Sequence, residues 1–149
     1  MHRPGCKRYV NWVPALVMAF QGSGWLTSPP PPDVEFRFDA HVLAPQQARQ
    51  AVAAIAGDGR TREAVLLATS ELVSNVIRHT HGGGTLWGWN SDPLRLEVYD
   101  SSPTLPDRLG ARLVGGLGLR LVDHLCVRWG SQPVASGKVV WAEVARTQL

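Results

Sequence analysis

The longest periodic segment in this chain of 149 residues runs from Thr61 to Thr80 and stops at a run of glycines. Apolar residues recur at helical spacing in the segment, so the predicted helix has one apolar side. No helix continues through His81-Gly82-Gly83-Gly84, because glycine disfavours the helical conformation. A helix of this length needs a large apolar surface to cover, and the rest of the chain has to provide that surface.

We predict that the surface is a sheet of short strands joined in hairpins. Val34–Phe38 alternates with period two, and two hairpins follow the long helix, turning at Ser91-Asp92-Pro93 and near Gly137. Hairpin strands are antiparallel, so the prediction is an α+β fold: a two-layer α/β sandwich with a mostly antiparallel sheet covered on one face by helices. The other sheet face needs a cover of its own or solvent. The remaining predicted elements are strands at Thr85–Asn90, Leu94–Tyr99, Cys126–Ser131 and Lys138–Ala145, and helices at Gln46–Ala56 and Leu117–Leu125.

The first 32 residues differ in composition from the rest of the chain. They end in the proline run Pro29–Pro32, which is typical of a linker. Tyr9–Phe20 is apolar but shorter than the roughly 20 residues that a membrane span needs, and Asn11 and Pro14 interrupt it. We predict a poorly ordered leader and linker at residues 1–32 and one domain at residues 33–149. A signal peptide and a start codon placed too early are the alternatives for the leader.

Charge and cysteine content narrow the classes of function. The formal net charge is +3, but Arg3, Lys7 and Arg8 lie in the leader, and no basic stripe remains in the domain. We therefore expect no direct contact with nucleic acid, and none with a membrane. Cys6 and Cys126 are too far apart in sequence to suggest metal ligands, and two cysteines do not form a disulfide framework. The expected location is the cytoplasm.

Three polar residues on the long predicted helix could carry chemistry. Glu71, Asn75 and Arg78 share one side at i, i+4 and i+7, opposite the apolar residues. A carboxylate and an amide one turn apart offer the oxygen ligands that Mg²⁺ prefers, with phosphate oxygens completing the shell. The carboxylate could also orient or deprotonate an attacking hydroxyl. A plain solvated helix face is the alternative.

A glycine cluster and an aspartate form two further candidates. Gly115-Gly116-Leu117-Gly118-Leu119 begins a predicted helix, and glycines at a helix N-terminus let the backbone approach a phosphate. No Gly-Lys-Ser/Thr follows, so the cluster is not a P-loop. Asp100 ends a strand, where its carboxylate could accept a hydrogen bond from an exocyclic amine such as that of adenine. Capping the turn at Ser101-Ser102-Pro103 is the alternative role for Asp100.

The order of these motifs resembles a known ATP site. A helix with Glu-x-x-x-Asn, a hairpin that ends in Asp, a loop and then Gly-Gly-x-Gly-Leu are similar to the site shared by histidine kinases, type II topoisomerases and heat-shock chaperones, the Bergerat fold. The resemblance covers Val34 to Val144. It is closest to the small single-domain bacterial branch of anti-sigma-factor serine/threonine kinases. Ser70–His79 resembles the helix motif of that branch, and Arg128–Trp141 resembles its closing hairpin.

The resemblance implies ATP and Mg²⁺ as ligands and assigns roles to individual residues. Glu71 would activate the nucleophile, Asn75 would ligate Mg²⁺ and Asp100 would bind the adenine amino group. Ser102 stands where the larger superfamily has a glycine, and the loop before the glycine cluster is short. The implied nucleotide-binding residues are Asn75, Arg78, His79, Asp100, Gly115, Gly116, Leu117, Gly118 and Leu119.

Three functions agree with that resemblance. The first is an anti-sigma-factor serine/threonine kinase that binds a sigma factor and phosphorylates an antagonist protein. The second is a regulator that binds ATP and acts by protein contact without transferring phosphate. The third is a histidine-kinase-type catalytic module that serves a phosphoacceptor in trans. Relatives of this kind dimerise near the first strand, so a homodimer is also expected.

Overall fold

A computed structural model of the chain describes residues 30–80, 82–102 and 117–146, with only the backbone for residues 117–120. Neighbouring strands are all antiparallel, in the order β1-β2-β3-β5-β4, and the three described helices cover one face of the sheet. The predicted α+β class is thereby confirmed, whereas most of the predicted leader lies outside the described residues. The elements are β1 (Val34–Phe38), α1 (Ala44–Val52), α2 (Gly59–His79), β2 (Gly84–Trp89), β3 (Leu94–Asp100), α3 (Leu117–Leu125), β4 (Arg128–Val134) and β5 (Gly137–Val144).

Two predicted elements have different bounds in the structure. Helix α1 ends at Val52 rather than at Ala56, and the chain continues in turns, with the amide of Ile55 donating to the carbonyl of Val52. Strand β4 begins two residues later than predicted, because the amide of Cys126 still donates to a helical carbonyl of α3. It then continues through Pro133, which an edge strand tolerates.

Strand register aligns four residues at one end of the sheet. Phe38 lies opposite Gly84, Gly84 opposite Asp100, and Asp100 opposite Lys138. We call this row the Asp100 end. Strand β3 finishes there and β5 starts there, so that residues 38 positions apart in sequence become neighbours. The register therefore determines which side chains meet at this end.

Helix α2 lies across the inner face of the sheet, the face that the helices cover. Its apolar stripe packs against the inward side chains of the strands, such as Leu86, Leu96 and Val98, all of which are fully buried. No helix in the described part of the chain is long and apolar enough to span a bilayer. The buried members of the α2 stripe are Thr61, Val65, Ala68, Thr69, Leu72, Val73 and Val76.

The outer face of the sheet carries a buried ionic cluster. The guanidinium of Arg95 donates to Glu97 at 2.8 Å and to Glu143 at 2.9 Å, and Arg128 donates to Glu143 at 2.7 Å. Arg95 also lies over the ring of Trp141, with its Cζ 4.4 Å from the ring centroid. Burial lowers the pKa of Arg95, while the charges of Glu97 and Glu143 raise it. Strands β3 and β5 are thus buried on both faces.

We expect Glu97→Gln to destabilise the fold because it removes one carboxylate from a buried cluster. The change leaves Arg95 and Arg128 to share the single carboxylate of Glu143, and we expect it to cost about 3 kcal/mol of unfolding free energy. The matched control is Glu35→Gln on the same sheet face, where the side chain is 48% exposed and pairs with Arg37 at 3.5 Å. Its cost should stay below about 1 kcal/mol. Urea unfolding of both variants measures the difference, and equal costs would contradict the role given to the cluster.

Candidate functional site

A buried carboxylate and a buried ammonium meet at the Asp100 end. Both side chains lie on the inner face, because Asp100 and Lys138 continue the inward alternation of their strands. Asp100 Oδ1 accepts hydrogen bonds from the Ser102 amide at 2.7 Å and from Lys138 Nζ at 3.0 Å. Asp100 Oδ2 also lies 3.0 Å from Nζ, so both carboxylate oxygens face the same ammonium. The Asp100 side chain has no exposed surface and that of Lys138 is 4% exposed.

The sequence left two roles open for Asp100, a cap of the following turn and an acceptor for a ligand, and the geometry is compatible with both. Oδ1 caps the turn after β3 by accepting the amide of Ser102. Oδ2 has the shared ammonium of Lys138 beside it and no other donor in the described part of the chain, so this oxygen has room to accept one more. An N–H group of a ligand would be such a donor. A ligand can reach this atom only after the groups that shield it move apart.

Glu71 and Asn75 lie beside the buried stripe of α2. Both side chains are half-buried rather than fully solvated, so the predicted opposite face is in fact the border of the stripe. Residues at i and i+4 have Cβ atoms about 6 Å apart. Within the residues that the structure describes, neither side chain forms a hydrogen bond or an ion pair. A carboxylate and an amide are therefore available here to a ligand.

The C-terminal end of α2 is connected to the Asp100 end. Arg78 and His79 lie in its last turn, both exposed, and Gly84, five positions after His79, lies opposite Asp100. Five residues span at most about 18 Å. A Cβ placed on Gly82 would lie 3.7 Å from the hydroxyl oxygen of Ser101, so the connection runs along the turn after β3. The last turn of α2 and Asp100 thus belong to one end of the molecule.

Helix α3 ends near the end of β5 that lies away from Asp100. Just after its last residue, the amide of Val127 donates to the carbonyl of Glu143 at 2.8 Å. Leu117, Gly118 and Leu119 form the first turn of this helix. The helix predicted over Leu117–Leu125 is confirmed. Gly115 and Gly116, predicted to bind nucleotide, lie outside the described residues.

Gly137 permits the close contact between β5 and the end of β3. Its φ is +154°, and a Cβ at this position would lie 1.9 Å from the carbonyl oxygen of Asp100. Only a residue without a side chain fits there.

Lys138 is the site residue that sequence reasoning missed. The sequence pattern assigns Lys138 only to a predicted strand. The available signal was its place in the alternation of β5, where Lys138, Val140, Ala142 and Val144 share the inward face. A charged residue at an inward position is informative, because buried charges are rare unless they are paired.

The described residues contain no group of three or more His, Cys, Asp or Glu side chains that could hold a metal ion. A magnesium ion held mainly by phosphate and water needs no such group. No protein-family model matches the chain, and no curated protein matches it.

Gly137→Ala should destabilise the fold, because the added methyl group would overlap the Asp100 carbonyl. We expect a loss of at least about 2 kcal/mol in unfolding free energy. Gly59→Ala is the matched control, since Gly59 also has a positive φ, +55°, but its Cβ would meet no atom within 4 Å. That variant should lose only about 1 kcal/mol. Thermal unfolding compares them, and a tolerated Gly137→Ala would show that the contact is not needed.

Proposed function

We propose that this chain is an ATP-binding regulatory domain of the Bergerat type and that it acts as an anti-sigma-factor serine/threonine kinase. The observation that carries the proposal is the buried carboxylate of Asp100, on the sheet face that is covered by the helix with Glu71 and Asn75. The order of the motifs in the sequence supports the same reading.

Adenine fits the chemistry of Asp100. Its exocyclic amine is a donor that Oδ2 could accept in addition to the Lys138 ammonium, and a hydrogen bond to a charged acceptor contributes about 1.5–3 kcal/mol. The ion pair with Lys138 and the bond from Ser102 hold the carboxylate in place. The carboxylate is therefore oriented before the base arrives, and the groups that shield it have to move to admit the base.

In this proposal the triphosphate and Mg²⁺ lie at the C-terminal half of α2 and the first turn of α3. Asn75 supplies an amide oxygen for the metal, and the exposed Arg78 supplies positive charge at the end of α2. The first turn of α3 adds unpaired amide groups and a positive helix dipole. Bound Mg²⁺ would neutralise phosphate charge in this arrangement. Leu117, Gly118 and Leu119 are the described part of the predicted glycine motif.

Glu71 favours a kinase over a regulator that only binds ATP. A half-buried carboxylate without a partner among the described residues is costly to retain, but it suits a base that orients a serine or threonine hydroxyl. The partners would be a sigma factor and an antagonist that carries the accepting hydroxyl. A histidine-kinase-type module acting in trans would use the same ATP pocket with a different acceptor.

Calorimetric titration with ATP, with and without Mg²⁺, tests the pocket. The parent domain should bind ATP in the micromolar to sub-millimolar range when Mg²⁺ is present. Asn75→Ala should weaken this binding by at least about tenfold, because it removes a metal ligand. Glu63→Gln is the control, since Glu63 is exposed on the same helix and should bind like the parent. Absence of binding by a folded parent domain would overturn the proposal.

Glu71→Gln should separate binding from transfer. We expect the variant to bind Mg²⁺-ATP as the parent does and to transfer phosphate about 100-fold more slowly or less, because the base is lost. The assay incubates parent and variant with candidate antagonist proteins and follows the phosphorylated product by intact mass. Equal transfer rates would exclude Glu71 as the base. Binding without transfer by the parent would favour the regulator that acts by contact.

A further inference from the structure

The outer face of the sheet is buried at its centre, although the described helices all lie on the inner face. Glu97 and Val139 have no exposed surface there. Arg95 lies over the ring of Trp141, which places its guanidinium in the outermost layer, yet its side chain is only 9% exposed. In the described part of the chain, no helix or second sheet packs against these side chains. The centre of this face therefore needs a cover.

The burial is confined to the middle of the face. On the edge strand β1, the outward side chains of Glu35 and Arg37 are 48% and 83% exposed. At the other edge, the side chain of Arg128 is 40% exposed. The cover thus lies over β3 and β5 and leaves both edges of the sheet partly open.

Two buried polar atoms on the outer face have no hydrogen-bond partner in the described part of the chain. They are the donor Nε1 of Trp87 and the acceptor Oε1 of Gln132. Buried polar atoms are rarely left without a partner. Peptide backbone offers both an acceptor and a donor, so a segment of chain lying across this face would have the groups that these two atoms lack.

The described chain begins on this same face. The indole Nε1 of Trp89 donates to the carbonyl of Pro30 at 2.9 Å, and Trp89 projects outward because it lies opposite Arg95. Pro30 is preceded by 29 residues, which include the apolar stretches Tyr9–Phe20 and Trp25–Leu26. Residues 103–116, in contrast, connect the end of β3 to α3, a helix of the inner layer. The leader is therefore the segment of the chain best placed to be the cover.

The leader is also long enough to reach the centre of the face. Trp25 lies five positions before Pro30, and five extended residues span at most about 18 Å. Trp141 is two strands and two residues away from Trp89, which corresponds to about 12 Å on a sheet. Even the last apolar residues of the leader can therefore contact the buried centre.

We propose that residues 1–29 pack across the outer face of the sheet as its second cover, with Trp25 and Leu26 against Arg95 and Trp141. Apolar and aromatic side chains gain free energy when they leave water, so both the leader and the aromatic surface of the sheet benefit. This inference goes beyond the proposed function, because it concerns the face opposite Asp100 and holds whether or not the domain binds ATP.

Photo-crosslinking of the whole chain tests where the leader lies. The photoreactive residue p-benzoylphenylalanine replaces Trp25, and irradiated protein of monomer size is digested and mapped by mass spectrometry. We expect links within one chain to peptides of β3 or β5. The control carries the same probe in place of Val42, which is 81% exposed before α1, and should give no such links. Links only between two chains would assign the cover to a second copy and overturn the inference, as would a folded Trp25 variant without links to these strands.

Thermal unfolding of the whole chain measures the contribution of the same two residues. Trp25→Ala combined with Leu26→Ala should lower Tm by about 5 °C or more, because the cover loses its nearest apolar contacts. Val42→Ala, which shortens an exposed side chain, should change Tm by less than about 2 °C. An unchanged Tm in the double variant would show that the leader does not stabilise the sheet and would overturn the inference.

Discussion

The register of three central strands is the constraint on which the candidate site depends. Gly84, Asp100 and Lys138 lie in one row because β2, β3 and β5 pair without offset at this end. A shift of one residue would turn Asp100 to the outer face and place Tyr99 on the inner face instead. The turn at Ser102 and the glycine at Gly137 both serve this register, the first by binding Oδ1 and the second by leaving room for the Asp100 carbonyl.

The sheet distributes its charges unequally between its two faces. The inner face is apolar except at its end, where Asp100 and Lys138 form one compact pair. The outer face holds a network in which Arg95 contacts two carboxylates, so each charge there has a partner. The outer network leaves both Glu97 oxygens occupied, by Arg95 and by Tyr99. The inner pair is smaller, with one ammonium 3.0 Å from both oxygens of one carboxylate and a backbone amide on Oδ1.

Local patterns were enough to predict the element types, because hairpin turns, alternation and the long amphipathic helix are all encoded within short segments. The same patterns could not predict the contact between Asp100 and Lys138, since it depends on which strand pairs with β3 and in which register. They also failed for Arg95 and Glu97, where alternation suggests solvent-facing charges but both residues are buried. At the site, the order of the motifs makes Asp100 a candidate, whereas its ion pair with Lys138 is visible only in three dimensions.

The two edges of the sheet differ in their capacity to accept another strand. Strand β4 contains Pro133, which has no N–H group to offer to a neighbour, so its outward row of donors is interrupted. Strand β1 contains no proline, and its row of backbone groups is complete. Lateral growth of the sheet by an added strand is thus easier beside β1. The charged side chains of Glu35 and Arg37 on that strand disfavour indiscriminate pairing, and a partner with complementary charges would suit it best.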